Sequence, residues 1–338
     1  MHRLGTRPKR RGDVDMTQGN VAHHLVMFAL PLLAGNIFQQ FYNTVDTWVV
    51  GNFVSNEAFS AVGTVTPIVN MLIGSFMGLA SGAGVVISQY YGAKQMERVK
   101  QAVHTSLVMT LVLGVIMTAA GILLTPFLLG LMKTPADVFP EATAYLTIYF
   151  SGVMGLMLYN MGAGILRAVG DSKRPFYFLV AAAVLNIGLD LLLVIVFHMG
   201  VEGVAYATII SQGVSAAWVV LFLVSGKSYL KIRPSYMRPR ADILMPAIAL
   251  GASPFVMQFT ESIISVCFNT SLLKYGGDIA VGAMTIMTSV MQFSMLPLQG
   301  VTQGSQPIVS FNYGAGSADR VKKTFKILFL CCIGYSTL

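Results

Sequence analysis

Gln89-Tyr90-Tyr91-Gly92-Ala93-Lys94, with Arg98-Val99-Lys100 shortly after, returns 222 residues later as Phe311-Asn312-Tyr313-Gly314-Ala315-Gly316 with Arg320-Val321-Lys322. Each copy closes a long apolar run and opens a basic loop. Upstream, Ala61-Val62-Gly63 reappears as Ala280-Val281-Gly282, and Gly78 matches Gly300 if three residues are inserted between. A fixed period of this kind marks a duplicated architecture, so the apolar runs around the two copies decide the fold.

Those runs dominate the chain. Of 338 residues 55% are hydrophobic and 11% charged, against about a quarter charged in an ordinary soluble domain. Water is therefore not the solvent for most of the surface. Apolar runs punctuated by Gly, Pro and charge predict nine membrane-crossing helices at 21–50, 57–88, 102–132, 142–166, 175–199, 201–226, 242–273, 279–310 and 321–338, each long enough for a hydrocarbon layer of ~30 Å. The first run is too long for a signal-peptide core and is read as a retained span.

The basic residues test this segmentation, because Lys and Arg collect in alternate, cytoplasmic loops. One side receives Arg3, Arg7, Lys9, Arg10 and Arg11; Lys94, Arg98 and Lys100; Arg167, Lys173 and Arg174; Lys227, Lys231, Arg233, Arg238 and Arg240; and Arg320, Lys322, Lys323 and Lys326. These are 20 of the 22 basic residues, leaving Lys133 and Lys274 for the other side. The amino terminus is expected in the cytoplasm of a multi-pass protein in the cell membrane. The net charge of +8 is thereby explained by topology, and nucleic-acid binding is not expected. Cys267, Cys331 and Cys332 fit neither a disulfide framework nor zinc spacing and read as small apolar residues.

Six spans separate the two copies, and six is even, so both enter the membrane with the same orientation. The expected fold is an all-α integral membrane protein of two parallel-repeat bundles. A basic amino terminus (1–20) precedes a complete six-helix bundle (21–226). A cytoplasmic linker (227–241) then leads to an incomplete second bundle of about three spans (242–338).

Three acids fall inside apolar runs: Asp46, Asp190 and Glu261. An ionisable group at that depth is a functional hypothesis by default. Asp46 follows Pro31 by fifteen residues and Glu261 follows Pro246 by fifteen, which would make the two acids equivalent. Matching Gln40-Phe41 to Gln258-Phe259 instead moves that register by three residues, and both registers stand at this stage. Asn186 and Asp190, four apart, share one helix face. Pro31 and Pro246 are candidate kinks. Gly74, Gly78 and Gly82 read as a close helix contact. Met284, Met287, Met291 and Met295 form a stripe that is either core filler or lipid contact, or else an adaptable cavity wall. Gln299, Gln303 and Gln306 would supply polar contacts in such a cavity or join helices.

Taken together these residues resemble the multidrug and toxic compound extrusion (MATE) family. The resemblance rests on Pro31 with Val45-Asp46-Thr47-Trp48-Val49-Val50-Gly51, on Gln89 to Lys94, and on Gly164-Ile165-Leu166-Arg167-Ala168-Val169-Gly170-Asp171. It extends to Asn186 with Asp190, Gly203-Val204-Ala205-Tyr206-Ala207-Thr208, and Glu261. It implies twelve helices in two six-helix bundles and export of organic cations or amphipathic drugs in exchange for protons or sodium ions. Nine spans fill only part of that plan, so a carboxy-terminally truncated form is expected. The resemblance also implies an ion site of Tyr42, Asp46, Asn160, Asn186, Asp190 and Thr208, with Glu261 as half of a second cation site. A sodium ion would then find oxygen ligands at Asp46, Asp190 and Glu261. No other cofactor is expected, and the protein should work as a monomer in the lipid bilayer.

Two alternatives compete. A lipid-linked oligosaccharide flippase of the same wider superfamily would line its cavity with basic residues, whereas these spans carry acids and almost no Lys or Arg. An intramembrane enzyme would need His, Asp or Ser at catalytic spacing. His23-His24 lack a following Glu motif, and His104 and His198 stand alone near span ends.

Overall fold

The computed structural model describes residues 16–132, 134–225, 230, 232 and 236–337. Arg3, Arg7, Lys9, Arg10, Arg11, Lys133, Lys227, Lys231 and Arg233 lie outside the described residues, as do 227–229, 231 and 233–235 of the expected linker. The described chain is helical: α1 (Val21–Phe53), α2 (Asn56–Gly92), α3 (Met96–Leu131), α4 (Phe139–Ala168), α5 (Lys173–Asp190) continued by a π-helical turn (Leu191–Val196), α6 (Gly200–Val224), α7 (Ala241–Gly314) and α8 (Ala318–Ser336). Seven of these segments, from α1 to the first arm of α7, are long and apolar enough to cross a membrane. Their outward faces carry unpaired apolar side chains such as Leu123, Phe127 and Val115, as lipid-facing surfaces do.

Spans seven and eight, expected as separate helices, are two helices that meet at Gly277 within Ala241–Gly314. Only Gly277 leaves helical geometry, at φ 64° and ψ −167°. That region is open essentially to glycine alone, so a reversal that usually takes a loop takes one residue here. Pro31 sits inside a continuous α1, where its missing N–H and ring weaken the hydrogen-bond ladder without ending the helix.

The two halves meet through glycine. A Cβ on Gly82 would fall 2.1 Å from the Ala247 carbonyl oxygen, and one on Gly78 would fall 2.8 Å from the Phe255 nitrogen. The helices α2 and α7 therefore run backbone against backbone, as the Gly74, Gly78, Gly82 spacing predicts. The second copy makes the same seam with α1. A Cβ on Gly304 would fall 2.9 Å from the Ala29 nitrogen, and one on Gly300 would fall 2.9 Å from the Leu33 Cβ. At the basic face the pattern becomes reciprocal, with Gly92 against the Phe311 carbonyl and Gly314 against the Gln89 carbonyl, each 2.0 Å from a built Cβ.

These contacts choose between the two registers. Gly82 and Gly304 are equivalent by the 222-residue repeat, and their partners Ala247 and Ala29 differ by 218. Gly251 and Leu33, facing Gly78 and Gly300, differ by 218 as well. That is the Gln40-Phe41 to Gln258-Phe259 register. Under it Glu261 corresponds to Asn43 and Asp46 to Ile264, which corrects the expected equivalence of Asp46 with Glu261. The prolines misled because each can lie one turn away from the other's position and still bend its helix.

Hydrogen bonds tie each half to the entrance of the other at the same face. Arg320 Nη2 donates to the carbonyl oxygens of Met16 at 2.9 Å and Gln18 at 3.3 Å, and its Nη1 donates to Gly19 at 3.0 Å. Its repeat equivalent, Arg98, pairs with Asp242 at the start of α7. Gln306 Nε2 donates across the halves to Ser81 Oγ at 2.6 Å.

Candidate functional site: a buried acid pair beside a divided cavity

The interior of the first bundle has two apolar clusters. One lies toward the basic face around Ile87, Val103, Met161 and Leu166, and the other surrounds Val49, Val65, Leu146 and Val204. Along α1, α5 and α6 the residues between them are polar. Asn36, Tyr42, Asn43 and Asp46 come from α1, Asn186 and Asp190 from α5, and Thr208, Ser211 and Gln212 from α6.

Asp46 and Asp190 place their carboxyl groups side by side. Both oxygens of Asp190, one of Asp46, and both polar atoms of the neighbouring Asn186 amide are buried without a partner among the described residues. Asp190 and Asn186 are 0% and 1% exposed. Buried polar atoms in native proteins are nearly always satisfied, so a cluster of orphans needs an explanation in function. Two adjacent carboxylates cannot both carry charge cheaply out of water. The arrangement suits an occupant that carries positive charge, because three carboxyl oxygens and the Asn186 amide oxygen lie there without partners among the described residues.

Local structure fixes this geometry. Asp190 ends the regular part of α5, and the backbone passes at once into the π-helical turn Leu191–Val196. Such wider turns recur at functional sites because they re-aim a side chain without ending the helix. Tyr42 and Tyr145 face the acids, and Tyr149 stacks on Tyr145 with centroids 6.2 Å apart. Tyr145, Tyr149 and Gln212 escaped the sequence reading. Their spacing on α4 and α6 reads equally well as ordinary core, and only the fold turns Tyr145 toward the acids and sets Tyr149 and Gln212 beside it.

Beside the pair lies a cavity of about 320 Å³ between α1, α4, α5, α6 and the second arm of α7, into which Tyr42, Asn160, Asn186, Thr208, Gln299 and Gln303 point. A second cavity of about 340 Å³ lies between α2, α4 and both arms of α7. Met77, Arg167 and Gln303 line both. Arg167, expected in a loop, is in the last turn of α4, where the fold turns its guanidinium toward these cavities.

A family model described as MatE matches residues 31–192 and 254–338, well over half of the chain. The chain belongs to the MATE family. Curated relatives agree. The chain is 30% identical over 307 residues to the probable multidrug resistance protein YpnP of Bacillus subtilis, covering 91% of this chain and 68% of that one. It is 25% identical over 316 residues to the multidrug export protein MepA of Staphylococcus saprophyticus, covering 94% and 70%. Among solved structures, a MOP superfamily transporter from Pyrococcus furiosus superposes with a TM-score of 0.91 at 24% identity, over 97% of this chain and 73% of that one. The fold of this MATE protein is thus that of helical-bundle transporters, which are not enzymes, and its family is one of multidrug efflux.

Within this MATE chain the structure brings together Tyr42, Asp46, Asn186 and Asp190, with Asn160 and Thr208 on the wall of the adjoining cavity. Glu261 is exposed on the first arm of α7 and lines neither cavity. Among the described residues no three His, Cys, Asp or Glu side chains cluster as metal ligands, so Glu261 does not complete a three-acid set with the pair. The methionine stripe fits lipid contact and not a wall of either cavity. Met287, Met291 and Met295 are exposed, and neither they nor Met284 line a cavity. The second arm of α7 turns Gln299 and Gln303 inward instead.

Proposed function

We propose that this chain exports amphipathic organic compounds, cationic drugs among them, in exchange for protons or sodium ions that bind between Asp46 and Asp190. The reading rests on one observation: both oxygens of Asp190, one of the adjoining Asp46 and the amide of Asn186 are buried without partners among the described residues. A proton taken up by either carboxyl, or a sodium ion ligated by both with Asn186, removes the cost of two unscreened negative charges. Unloading the pair restores that cost, so occupancy biases α1 and α5 between two arrangements. Pro31, on the wall of the same cavity, is where α1 yields most easily.

The basic face is assigned to the cytoplasm by the positive-inside rule. The glycine seams and both arginine clasps lie toward that face, while Phe41, Trp48, Phe259 and Ile263, further along α1 and α7, are exposed. In this orientation the halves are sealed inside and parted outside.

The test is drug efflux in inverted vesicles with proton and sodium gradients imposed separately. Asp190→Asn keeps the shape of the side chain and removes its charge; export driven by either gradient should be lost while the protein still accumulates in the membrane. Efflux at the unmutated rate would remove the acid pair from the mechanism.

A further inference from the structure

We infer that the junction of the two cavities is a binding site for an anionic group, held by Arg167, so that the substrates of this transporter include amphipathic anions and zwitterions. This deepens the export reading above and rests on it for the direction of transport, but not for binding.

Arg167 is the sole formal charge among the residues lining either cavity. Asp46 and Asp190 belong to neither lining. No carboxylate stands within ion-pair distance of Arg167 among the described residues, and the nearest acid along the chain, Asp171, is engaged by Arg174. A cation in the last turn of α4 complements the helix dipole. That role is met equally by a side chain pointing to the aqueous face, as Lys and Arg near helix ends ordinarily do. Here the guanidinium instead reaches the space that a substrate would occupy.

The surroundings suit the head of an anion and the tail of an amphipath. Gln303 brings an amide donor and Ser310 a hydroxyl into the second cavity, Ser81, whose oxygen accepts from Gln306, keeps its own O–H to donate, and Met77, Pro254 and Met257 supply apolar wall. An unpaired guanidinium in a partly desolvated chamber gains most from a planar carboxylate or sulfonate, which accepts two of its N–H bonds at once. A cationic head would meet like charge there. Such a substrate keeps its head at Arg167 and directs any positive portion toward the acid pair, so one chamber accommodates zwitterions.

The test is equilibrium binding, without gradients, of two fluorophores to the purified chain in maltoside micelles free of phospholipid. Dansyl-labelled undecanoate carries the anionic head, and dansyl-labelled undecyl trimethylammonium carries the same body with a cationic one. Arg167→Ala should weaken the anionic probe by roughly tenfold or more and leave the cationic probe unchanged or tighter. Arg167→Lys, which keeps the charge, should retain most of the affinity and guards against a misfolded alanine variant. Adding a short-chain phosphatidate to the unmutated protein distinguishes sources: displacement of the anionic probe assigns the site to a lipid phosphate as well as to soluble anions. Unchanged anion affinity in Arg167→Ala overturns the inference, and so does equal weakening of both probes. Loss of exchange in Asp190→Asn with Arg167-dependent binding intact, or the reverse, separates this site from the coupling mechanism.

Discussion

Gly82→Ala adds one methyl group where α2 crosses α7. The new Cβ would lie 2.1 Å from the Ala247 carbonyl oxygen, 2.5 Å from the Gly251 nitrogen and 2.9 Å from the Gly251 Cα. Even a close C–H···O contact needs about 3.3 Å between heavy atoms, so the seam is short by about 1.2 Å. The obstructing atoms are helix backbone and cannot rotate aside. The two helices must separate by on the order of an ångström, which also unseats Gly78. Overpacking of this kind costs about 1–3 kcal/mol, a shift of roughly five- to 150-fold against the closed arrangement. Opposing it is a gain of about 1 kcal/mol from replacing a helical glycine by alanine. Gly84→Ala, half a turn away, isolates that gain, because its Cβ would meet only the Gly164 carbonyl oxygen at 3.8 Å. Hydrogen exchange of the amides in 243–255, read alongside the melting temperature in detergent, should rise for Gly82→Ala and fall or stay level for Gly84→Ala. Equal exchange and equal melting in the two variants would refute the view that the halves close backbone to backbone.

Three further substitutions probe the remaining structure. Gly277→Ala places a Cβ on a residue at φ 64° and should cost about 1–3 kcal/mol, visible as a lower melting temperature with no change in ligand affinity. Arg320→Ala removes the donors that hold the Met16, Gln18 and Gly19 carbonyls; limited proteolysis near residue 18 should accelerate by about tenfold, whereas Arg98→Ala, which breaks a half-exposed pair with Asp242, should change stability by less than about 1 kcal/mol. Tyr145→Phe preserves the stack on Tyr149 but deletes the hydroxyl facing Asp46 and Asp190. Efflux should fall at an unchanged melting temperature, and an unaltered rate would make Tyr145 mere packing.

Helix number and duplication were legible because they are written in long, redundant signals: runs of apolar residues and basic loops. The Gly74, Gly78, Gly82 seam was legible for a similar reason, since small residues at helical spacing have few other uses inside a membrane. Finer features depended on rotation about single helices, which composition does not encode. Asn186 and Asp190 declared a shared face, but nothing in their spacing told which helix they faced, and Asp46 became their neighbour only through packing. Arg167 looked like loop charge because it stands one residue from the end of α4. Direction of the side chain, not depth along the helix, put it at the cavities. The methionine stripe shows the converse: a face can be continuous in sequence and still line neither of these cavities when the helix beyond Gly277 is turned by its neighbours.

The reciprocity of Gly92 with Phe311 and Gly314 with Gln89 has the form of an isologous interface, in which residue i meets j and j meets i. Two separate copies of one ancestral half would associate in this way about a twofold axis normal to the bilayer. Joined in one chain, the copies keep that contact at the basic face without having to match elsewhere. The carboxyl pair lies in the first half alone, and the reciprocal glycine contacts decide where the molecule can part.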